Sequence, residues 1–471
     1  MKRFIKWLLV SLLIFSSCFL IYYTYKLNIL ELKYFIPMVS IVILLCILNV
    51  FKLLRKKTRK GSKLLFAIFS LILIVIYTII CRYSNTTVDF LKKVTDLKTE
   101  VVKYNVLVLN DSGYKEILDL TDKNIGFLSN DKNLNDSYDE LKNKLSYSKL
   151  DYDTIGSLLG ALYNNELNAV SVNEAYLNML EESTNNNVKQ YRVLYTYDVR
   201  VKIKDNTTSK IDYTKDPFIV YISGTDSRDS VSTVARSDVN IIAVINPKEH
   251  KVLLVSTPRD YYVQLHGTTG IKDKLTHAGV YGIDMSKNTM QDLLDIQINN
   301  VVKVSFSTVI KLVDTIDGID IDSEEEFTCY TNRNCHITVG TQHLDGKCAL
   351  AFARERMTYE SGDRHRGQNQ QQVITKIVEK MLNPKYMIRY TDILKNTEGT
   401  IETDISYDQI TELAKYELTN LSNWTVESIS LDGEGAMEPT YSMGYDLPLY
   451  VMIPNEETVN NAKIKIQEYL R

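Results

Sequence analysis

The residue types best suited to chemistry are aspartates and arginines that follow apolar, strand-like segments. Phe218–Ser223 is such a segment, and it breaks at Gly224 into a polar loop carrying Asp226 and Arg228. β-Branched and aromatic residues bounded by glycine are typical of a buried strand. Carboxylates are ligands that Mg²⁺ prefers, and arginine forks bind phosphate oxygens. The loop therefore predicts part of a metal-plus-phosphate site.

A second acid and arginine, Asp238 and Arg259, flank two apolar runs joined by a short turn that contains a proline. This pattern predicts an antiparallel β-hairpin. If Ile245 opposes Lys251, Asp238 lies next to Arg259 at one end of the hairpin. If the preceding strand runs parallel to the second hairpin strand, its polar loop emerges at the same edge.

Three further arginines follow downstream. Arg354 and Arg356 come directly after a predicted helix at 345–353, and in an extended segment they share one face while Glu355 points away. Arg366 and Gln370 lie one or two turns before the apolar stripe of the next helix, on or near its inward face. Free N–H groups at a helix N-terminus favour a bound phosphate there.

The alternative for these arginines is a set of surface ion pairs with Asp363, Glu355 or Glu360. One arginine alone would favour that interpretation. All of them together with Asp226, Asp238 and Arg259 favour a shared site, because charged groups that converge are typical of functional clusters.

The N-terminus predicts a membrane anchor. Trp7–Tyr23, Tyr34–Phe51 and Leu64–Cys81 each approach the ~20 apolar residues that span a bilayer. The basic loop Lys52–Lys63 places the N-terminus and that loop in the cytoplasm and everything after about Arg82 outside. A cleaved signal peptide and a lipidated Cys18 are weaker interpretations, since the first stretch has no small-residue cleavage site and continues past the cysteine.

The overall composition limits the partners. The chain has 471 residues and a formal net charge of −3, which gives no reason to expect nucleic-acid binding. Of six cysteines, three lie in the apolar stretches. A disulfide between Cys329 and Cys335 remains open, zinc is disfavoured by the spacing, and Cys348 is expected to be unpaired.

Alternating strand and helix patterns after residue 104 predict an α/β protein in three parts. These are a three-helix membrane anchor at 1–83, a small α/β accessory domain at 84–205 and an α/β catalytic domain at 206–471. Residues 164–175 of the accessory part are similar to passages of solute-binding modules. The catalytic part is expected to hold a mixed sheet flanked by helices, with its motifs at 218–382.

The ordered motifs GTDSR, ARSD, PRD, FARER and GDRHRGQNQQ resemble the LytR-CpsA-Psr family, a cell envelope-related transcriptional attenuator domain. The anchor and accessory domain are similar to its capsule-type branch. The resemblance implies a membrane-bound, extracellular phosphotransferase. Its partners would be a polyprenyl pyrophosphate-linked polysaccharide (capsule or teichoic acid), peptidoglycan and membrane lipid, with no nucleic acid.

The resemblance also implies residue roles. Asp226 and Asp238 would hold Mg²⁺, with Mn²⁺ as a possible substitute. The phosphate clamp would be Arg259, Arg354, Arg356 and Arg366, supported by Arg228, Arg236, Lys274 and Gln370. Two motifs depart from the family pattern. Asn369 stands where many members have arginine, and Leu275-Thr276-His277 replaces a polar run after Lys274.

Three rival functions remain at this stage. A pyrophosphatase would use the same residues with water as the acceptor. A regulatory attenuator would need a cytoplasmic domain, and the predicted cytoplasmic parts are too short to fold as one. A carbohydrate-binding scaffold without chemistry is disfavoured by the convergent charges. No Ser–His–Asp set or nucleophilic cysteine stands out, which favours direct attack by the acceptor hydroxyl.

Overall fold

The computed structural model describes residues 3–56, 58–95, 97–183, 190–203, 211–225, 231–359, 363–381, 383, 386, 390–420 and 424–471. Contacts divide the chain into two units. The first comprises 1–95, 384–398 and 405–422, and the second comprises 96–383, 399–404 and 423–471. The three domain limits predicted from the sequence stay predictions.

The first unit begins with three long apolar helices, α1 (Arg3–Leu27), α2 (Leu32–Leu54) and α3 (Lys60–Val94). Each is long and apolar enough to cross a membrane, in agreement with the three predicted spans. α2 and α3 are joined by a buried hydrogen bond of 3.3 Å from the Ser70 hydroxyl to Asn49 Oδ1. Polar side chains of this kind hold helices together where no water competes.

Two later helices belong to the same unit, α12 (Tyr390–Thr397) and α13 (Tyr407–Asn420). The Tyr407 hydroxyl lies 3.1 and 3.0 Å from the carbonyl oxygens of Lys26 and Leu27 at the end of α1. Lys93, near the end of α3, forms an ion pair with Glu398. The C-terminal ends of α1 and α3 therefore both contact this later part of the chain.

The second unit contains a five-stranded sheet, here called the accessory sheet, in the order β3-β2-β4-β1-β5. β2, β3 and β4 are parallel, and β1 is antiparallel to both β4 and β5. The strands are β1 (Thr99–Leu109), β2 (Asn124–Leu128), β3 (Ser148–Tyr152), β4 (Ala169–Asn173) and β5 (Tyr191–Lys202). Its helices are α4 (Leu134–Lys142), α5 (Ile155–Tyr163) and α6 (Glu174–Ser183). Strands that alternate with helices confirm the predicted α/β class.

A six-stranded mixed sheet follows, in the order β16-β11-β6-β7-β8-β17. β6 pairs parallel with β11 and antiparallel with β7, so it runs in the direction of β8 as predicted. The central strands β6, β7 and β8 are buried on both faces. Strands buried in this way have continuous apolar runs, as these do. The strands are β6 (Phe218–Thr225), β7 (Ser237–Asn246), β8 (Lys251–Thr257), β11 (Asn300–Ser305), β16 (Ile401–Thr403) and β17 (Thr425–Ser430).

Short strands and helices complete the second unit. The strands are β9 (Tyr262–Val263), β10 (Asp273–Lys274), β12 (Ile319–Ser323), β13 (Phe327–Thr328), β14 (His336–Ile337), β15 (Gly340–Leu344), β18 (Gly433–Thr440) and β19 (Gly444–Pro454). The helices are α7 (Leu275–Ala278), α8 (Ile283–Leu294), α9 (Phe306–Thr315), α10 (Gly346–Ala353), α11 (Asp363–Met381) and α14 (Glu456–Tyr469).

The predicted hairpin is present, with a register that differs from the prediction by one residue. Ile245 pairs with Val252, and Lys251 pairs with Asn246. The turn is one residue shorter than assumed. With the observed register, the residue on β8's side that corresponds to Asp238 is Arg259, one position beyond the residue that was predicted.

The cysteine pairing differs from the expectation. Cys335 forms a disulfide with Cys348 on α10, and Cys329 is a buried free thiol. Cys329 and Cys335 meet through their backbones, where the Cys329 amide donates to the Cys335 carbonyl at 2.9 Å. This backbone bond continues the pairing of β13 with β14. The disulfide partner of Cys335 comes instead from α10, further along the sequence.

Candidate active site

A β-bulge places Asp238 at the start of β7. Gly224 pairs with Val239 and Thr225 pairs with Ser237, so Asp238 is the extra residue between two paired positions. Bulges often re-aim a side chain beside an active site. A Cβ on Gly224 would lie 2.7 Å from the Cβ of Val239, so this close approach requires glycine.

A buried hydroxyl network fixes the strand on either side of the bulge. The Tyr221 hydroxyl donates to Asn240 Oδ1 at 2.6 Å, and the Ser223 and Ser237 hydroxyls lie 2.7 Å apart. Ser237 also donates to Asn240 Oδ1 at 2.9 Å. Buried polar networks that are well satisfied rigidify the backbone around them. Asp238 therefore projects from a well-fixed position.

The Asp238 carboxylate is held by two groups from other elements. Arg259 Nη1 lies 2.8 Å from Asp238 Oδ1, and both side chains are about one-tenth exposed. The Thr276 hydroxyl donates to the same oxygen at 3.1 Å. The predicted proximity of Asp238 and Arg259 is confirmed. Both contacts use Oδ1, so Oδ2 is the oxygen that a cation would take.

Behind this pair, Asp260 joins three cations. Its carboxylate lies 3.0 Å from Lys274 Nζ, 3.4 Å from Arg366 Nη2 and 3.6 Å from Arg259 Nε. Burial works to raise the pKa of Asp260, and the charges of Arg259, Lys274 and Arg366 outweigh it, so the pKa lies below its usual value. Asp260 is therefore an anion that holds the charged ends of these three side chains in place.

Asp238, Arg259 and Arg366 line one cavity of about 270 Å³. Five arginines and the carboxylates of Asp238 and Glu355 contribute to its wall, so positive charge dominates. The lining residues are Arg236, Asp238, Arg259, Phe306, Tyr330, Thr331, Arg354, Glu355, Arg356, Met357, Arg366 and Gln370. An excess of arginine in a concave site suits an anion with several oxygens.

Arg354 and Arg356 reach the cavity by a geometry that the sequence did not predict. Arg354 is the C-cap of α10 with helical backbone angles, φ −101° and ψ −2°, so the segment is not extended there. Its guanidinium lies 4.7 Å from the ring centre of Phe306. The attraction of a cation to an aromatic face helps to hold this guanidinium in place.

Glu355 is fully buried and organises the loop that forms one wall of the cavity. Its carboxylate accepts backbone N–H bonds from Tyr330 at 2.6 Å, Arg356 at 3.0 Å and Met357 at 2.8 Å. The expectation that Glu355 points away from Arg354 and Arg356 is wrong, because Glu355 lines the same cavity as they do. The Glu355 carboxylate fixes the backbone that carries Arg356, so Glu355 helps to shape the wall of the cavity.

Arg366 lies in the first turn of α11, as the apolar stripe predicted, and is 9% exposed. Gln370 lies one turn later and lines the same cavity. Lys274 is buried and reaches the site through Asp260. Asp226 and Arg228 lie outside the described residues, so their predicted roles stay predictions.

Residues 176–458, more than half of the chain, match the profile of the LytR_cpsA_psr family. The chain belongs to the LytR_cpsA_psr family. A polyisoprenyl-teichoic acid–peptidoglycan teichoic acid transferase TagU of Enterococcus faecalis is 33% identical over 202 residues, which is 42% of this chain and 65% of that protein. The match thus spans slightly less than two thirds of this relative.

Further relatives of this LytR_cpsA_psr family member include a TagU of Bacillus mycoides, 31% identical over 229 residues, 48% of this chain and 72% of that protein. A crystal structure of Bacillus subtilis TagV is 26% identical, with a TM-score of 0.46, and covers 54% of this chain and 98% of that chain.

The family resemblance implies Mg²⁺, and the described residues fit it in a limited way. Within the described part of the chain, no three His, Cys, Asp or Glu side chains are grouped to hold a metal ion. Mg²⁺ is commonly held by one or two carboxylates together with substrate phosphates. Asp238 offers one carboxylate oxygen beside a cationic cavity, which suits an ion that arrives with a phosphorylated ligand.

The sequence analysis did not predict two residues that support this site, Asp260 and Thr276. Asp260 follows Arg259 directly in the PRD motif, and that adjacency was the available signal. Thr276 was noted only as a departure from the family pattern, yet its hydroxyl holds Asp238. A short side chain that donates one bond leaves no distinctive pattern in a single sequence.

A Ser–His–Asp cluster also escaped the sequence analysis. Asp273 Oδ1 lies 2.6 Å and the Ser442 hydroxyl 2.9 Å from Nδ1 of His277, and the three side chains are buried. In a nucleophilic triad the serine and the acid bind opposite nitrogens of the imidazole. Here both bind the same nitrogen, so the cluster ties α7 to the β18–β19 connection and does not activate the serine.

Proposed function

We propose that this protein is a membrane-anchored phosphotransferase. It moves an anionic, phosphate-linked glycopolymer such as teichoic acid or capsule from a polyprenyl pyrophosphate carrier to peptidoglycan. The two relatives described above are named as transferases of teichoic acid from a polyisoprenyl carrier to peptidoglycan. A polymer of this class is therefore the substrate proposed for this chain.

The observation that carries the proposal is the convergence of five arginines on one cavity beside Asp238. A pyrophosphate has several anionic oxygens, and charge-assisted bonds from guanidinium groups match them in number and geometry. The role of Asp260 supports this reading, because a buried anion behind the cavity keeps Arg259 and Arg366 in fixed positions. Fixed donors stabilise developing charge without reorganisation during the reaction.

In the proposed reaction, a peptidoglycan hydroxyl oxygen attacks the phosphorus that carries the glycopolymer. A new P–O bond forms, the P–O–P bond breaks, and polyprenyl monophosphate leaves with the bond's electron pair. The arginines bind the oxygens of both phosphates, and Asp238 or Asp226 accepts the hydroxyl proton. Mg²⁺, when bound through Asp238 and Asp226, would supply further neutralisation of phosphate charge.

We further propose a multi-pass anchor with a cytoplasmic N-terminus and an extracellular catalytic part. Three apolar helices support an odd number of crossings. The contacts of Tyr407 with the end of α1 and of Glu398 with Lys93 support the same side for both helix ends. The basic loop between α2 and α3 supports a cytoplasmic position for the opposite end.

The decisive experiment uses the full chain in detergent with a polyprenyl pyrophosphate-linked glycan, Mg²⁺ and peptidoglycan fragments. Wild-type protein is expected to give a phosphodiester-linked product and polyprenyl monophosphate in equal amounts. Asp238→Asn is expected to remove several kcal/mol of transition-state stabilisation. The transfer rate should therefore fall at least about 100-fold. The matched control is Asp320→Asn, which alters an exposed carboxylate paired with His343.

The outcome also separates the rival functions. Release of polyprenyl monophosphate with the glycan phosphate appearing free, with or without acceptor, would make the protein a pyrophosphatase. Binding of the lipid without any product would reduce it to a regulatory or carbohydrate-binding protein. Full activity of Asp238→Asn would show that the Asp238 carboxylate has no role in the transfer reaction.

A further inference from the structure

The accessory sheet has the topology of a ligand-binding α/β module. β2 leads through α4 to β3 on one side, and β3 leads through α5 to β4 on the other side of β2. The strand order therefore reverses between β2 and β4. In open α/β sheets, ligands bind beyond the carboxyl ends of the strands at such a switch point. A crevice is expected beyond Leu128 and Asn173.

That crevice is occupied by the chain's own segment at 279–282. Asn173 Nδ2, at the end of β4, donates to the Val280 carbonyl at 3.4 Å. Lys132 Nζ, beyond β2, donates to the Tyr281 carbonyl at 3.3 Å. The Tyr176 hydroxyl on α6 donates to the Tyr281 hydroxyl at 3.1 Å, with both side chains buried. Polar groups in the position of a ligand site are thus used to hold this segment.

The held segment packs directly on the backbone that delivers Arg236 and Asp238. A Cβ on Gly279 would lie 2.5 Å from the carbonyl oxygen of Ala235 and 2.7 Å from the amide nitrogen of Ser237. No side chain separates the two backbones at this point. A shift of the segment would therefore move the chain on either side of Arg236.

A second connection is direct. The Val101 amide on β1 donates to the Ser232 carbonyl at 3.0 Å, and the Val234 amide donates to the Val101 carbonyl at 2.8 Å. The Val234 side chain is 6% exposed and lies in the accessory sheet's core with Tyr104 and Tyr197. Residues just before Arg236 are thus part of the accessory sheet's packing.

A buried ion pair joins the start of β1, next to Val101, to the six-stranded sheet. Glu100 Oε1 lies 2.6 Å from Lys303 Nζ on β11, and the two side chains are 5% and 2% exposed. Glu100 Oε2 accepts the Ile283 amide at 3.0 Å, at the start of α8. Gly282 has φ +97°, and a Cβ there would lie 2.9 Å from Glu100 Oε2. Separating a buried pair would leave uncompensated charges, so these contacts oppose the separation of β1 from β11 and α8.

We propose that the accessory sheet is a positioning part of the transfer site. It holds residues 231–238 through Val101 and Val234 and through the segment at 279–282, so that Arg236 and Asp238 keep their places in the cavity. This inference rests on the proposed function of that cavity. Val234 is a positioning residue, because it acts through Arg236 and Asp238 and touches no substrate.

The test compares two equal losses of volume in one core. Val234→Ala removes the anchor of the 231–238 segment, and Val199→Ala removes a valine of the same core on β5, where its backbone partner is Val102. Both variants are made in the full chain in detergent. Thermal unfolding, hydrogen exchange of peptides that cover 231–238, and kcat and KM for polymer transfer are measured.

We expect similar losses of thermal stability in both variants. Only Val234→Ala should accelerate exchange at 231–238, and it should lower kcat by up to about 100-fold, the scale that small misplacements of catalytic groups produce, with a smaller change in KM. Val199→Ala should retain the wild-type kcat per folded molecule.

Equal kcat losses in the two variants, or unchanged exchange at 231–238 in Val234→Ala, would overturn the positioning role. If wild-type protein shows no transfer, the proposed function fails. The exchange result, together with the binding of inorganic pyrophosphate to both variants, still decides whether the accessory sheet holds the segment.

Discussion

Lys274 Nζ lies 3.0 Å from Asp260 Oδ1, and the two side chains are 7% and 3% exposed. The lysine points at an aspartate that two arginines also approach, and both arginines line the proposed pyrophosphate cavity. One buried carboxylate therefore balances three cations, and two of them, Arg259 and Arg366, also line the cavity. The negative charge of Asp260 offsets part of the repulsion among these cations.

Asp260→Asn should destabilise the folded protein by about 3–5 kcal/mol, because it leaves buried cations without their counter-charge. Urea unfolding of the full chain in detergent measures this loss. Inorganic pyrophosphate should raise the stability of the variant, since the ligand supplies negative charge near Arg259 and Arg366. Asp292→Asn, which alters an exposed partner of His266, should change stability by less than about 1 kcal/mol.

The same carboxylate gives a pH dependence with a definite sign. Because the folded pKa of Asp260 is lowered, its contribution to stability is complete above the unfolded pKa of about 4 and is lost as the pH falls below it. Unfolding midpoints of wild type and Asp260→Asn should therefore converge as the pH falls below about 4. A constant difference over that range would show that the carboxylate's charge is not what stabilises the fold.

Replacing Arg354, Arg356 or Arg366 with lysine should weaken pyrophosphate-lipid binding by roughly 1.5–3 kcal/mol for each lost bond to a charged group. Lysine cannot copy the planar fork of arginine. Since the three share one cavity, a double replacement should differ from the sum of the single effects. Isothermal titration gives the affinities.

Arg200→Lys is the matched control for this series, because Arg200 is exposed on β5 of the accessory sheet. It should leave affinity unchanged. Small and additive effects at the three cavity positions would return those arginines to the role of surface ion pairs.

The disulfide between Cys335 and Cys348 should stabilise the wall of the cavity. It closes a short loop with a sequence separation of 13, for which chain entropy predicts about 3 kcal/mol. Cys348→Ser should lose a comparable amount in non-reducing buffer. Wild type in reductant should unfold at the same urea concentration as this variant.

The third cysteine of this region serves as the internal comparison. Burial, followed by the nearby Glu355 charge, raises the pKa of Cys329 to about 11. Cys329 should therefore resist alkylation at pH 8 in the folded protein and react after unfolding. Peptide mapping that links Cys329 to Cys335 would contradict the observed pairing.

Cysteine labelling tests the proposed topology. In a variant without the native cysteines of the spans, a membrane-impermeant maleimide should reach Cys placed at Ser209 in whole cells and should miss one placed at Ser62. Ser62 lies in the first turn of α3, within the basic stretch 52–63 that the positive-inside rule assigns to the cytoplasm. The reverse labelling pattern would exclude an extracellular transferase.

Periodicity and motif order in the sequence determined much of this fold. The three apolar helices, the β6–β7–β8 arrangement and the inward position of Arg366 follow from local patterns of apolar residues. Such patterns depend on near neighbours, so one sequence is enough to read them. The hairpin also sufficed to bring Asp238 beside Arg259, although the register was one residue off.

Only the tertiary structure decided which groups support the site. Asp260, Thr276 and Glu355 each make at least one contact with a residue far away in the sequence, and no spacing rule encodes such contacts. The cysteine pairing depended in the same way on where α10 packs. The hold of the accessory sheet on residues 231–238 arises because a valine from one sheet's connecting segment is buried in the core of the other, and long-range packing of that kind exists only once the chain has folded.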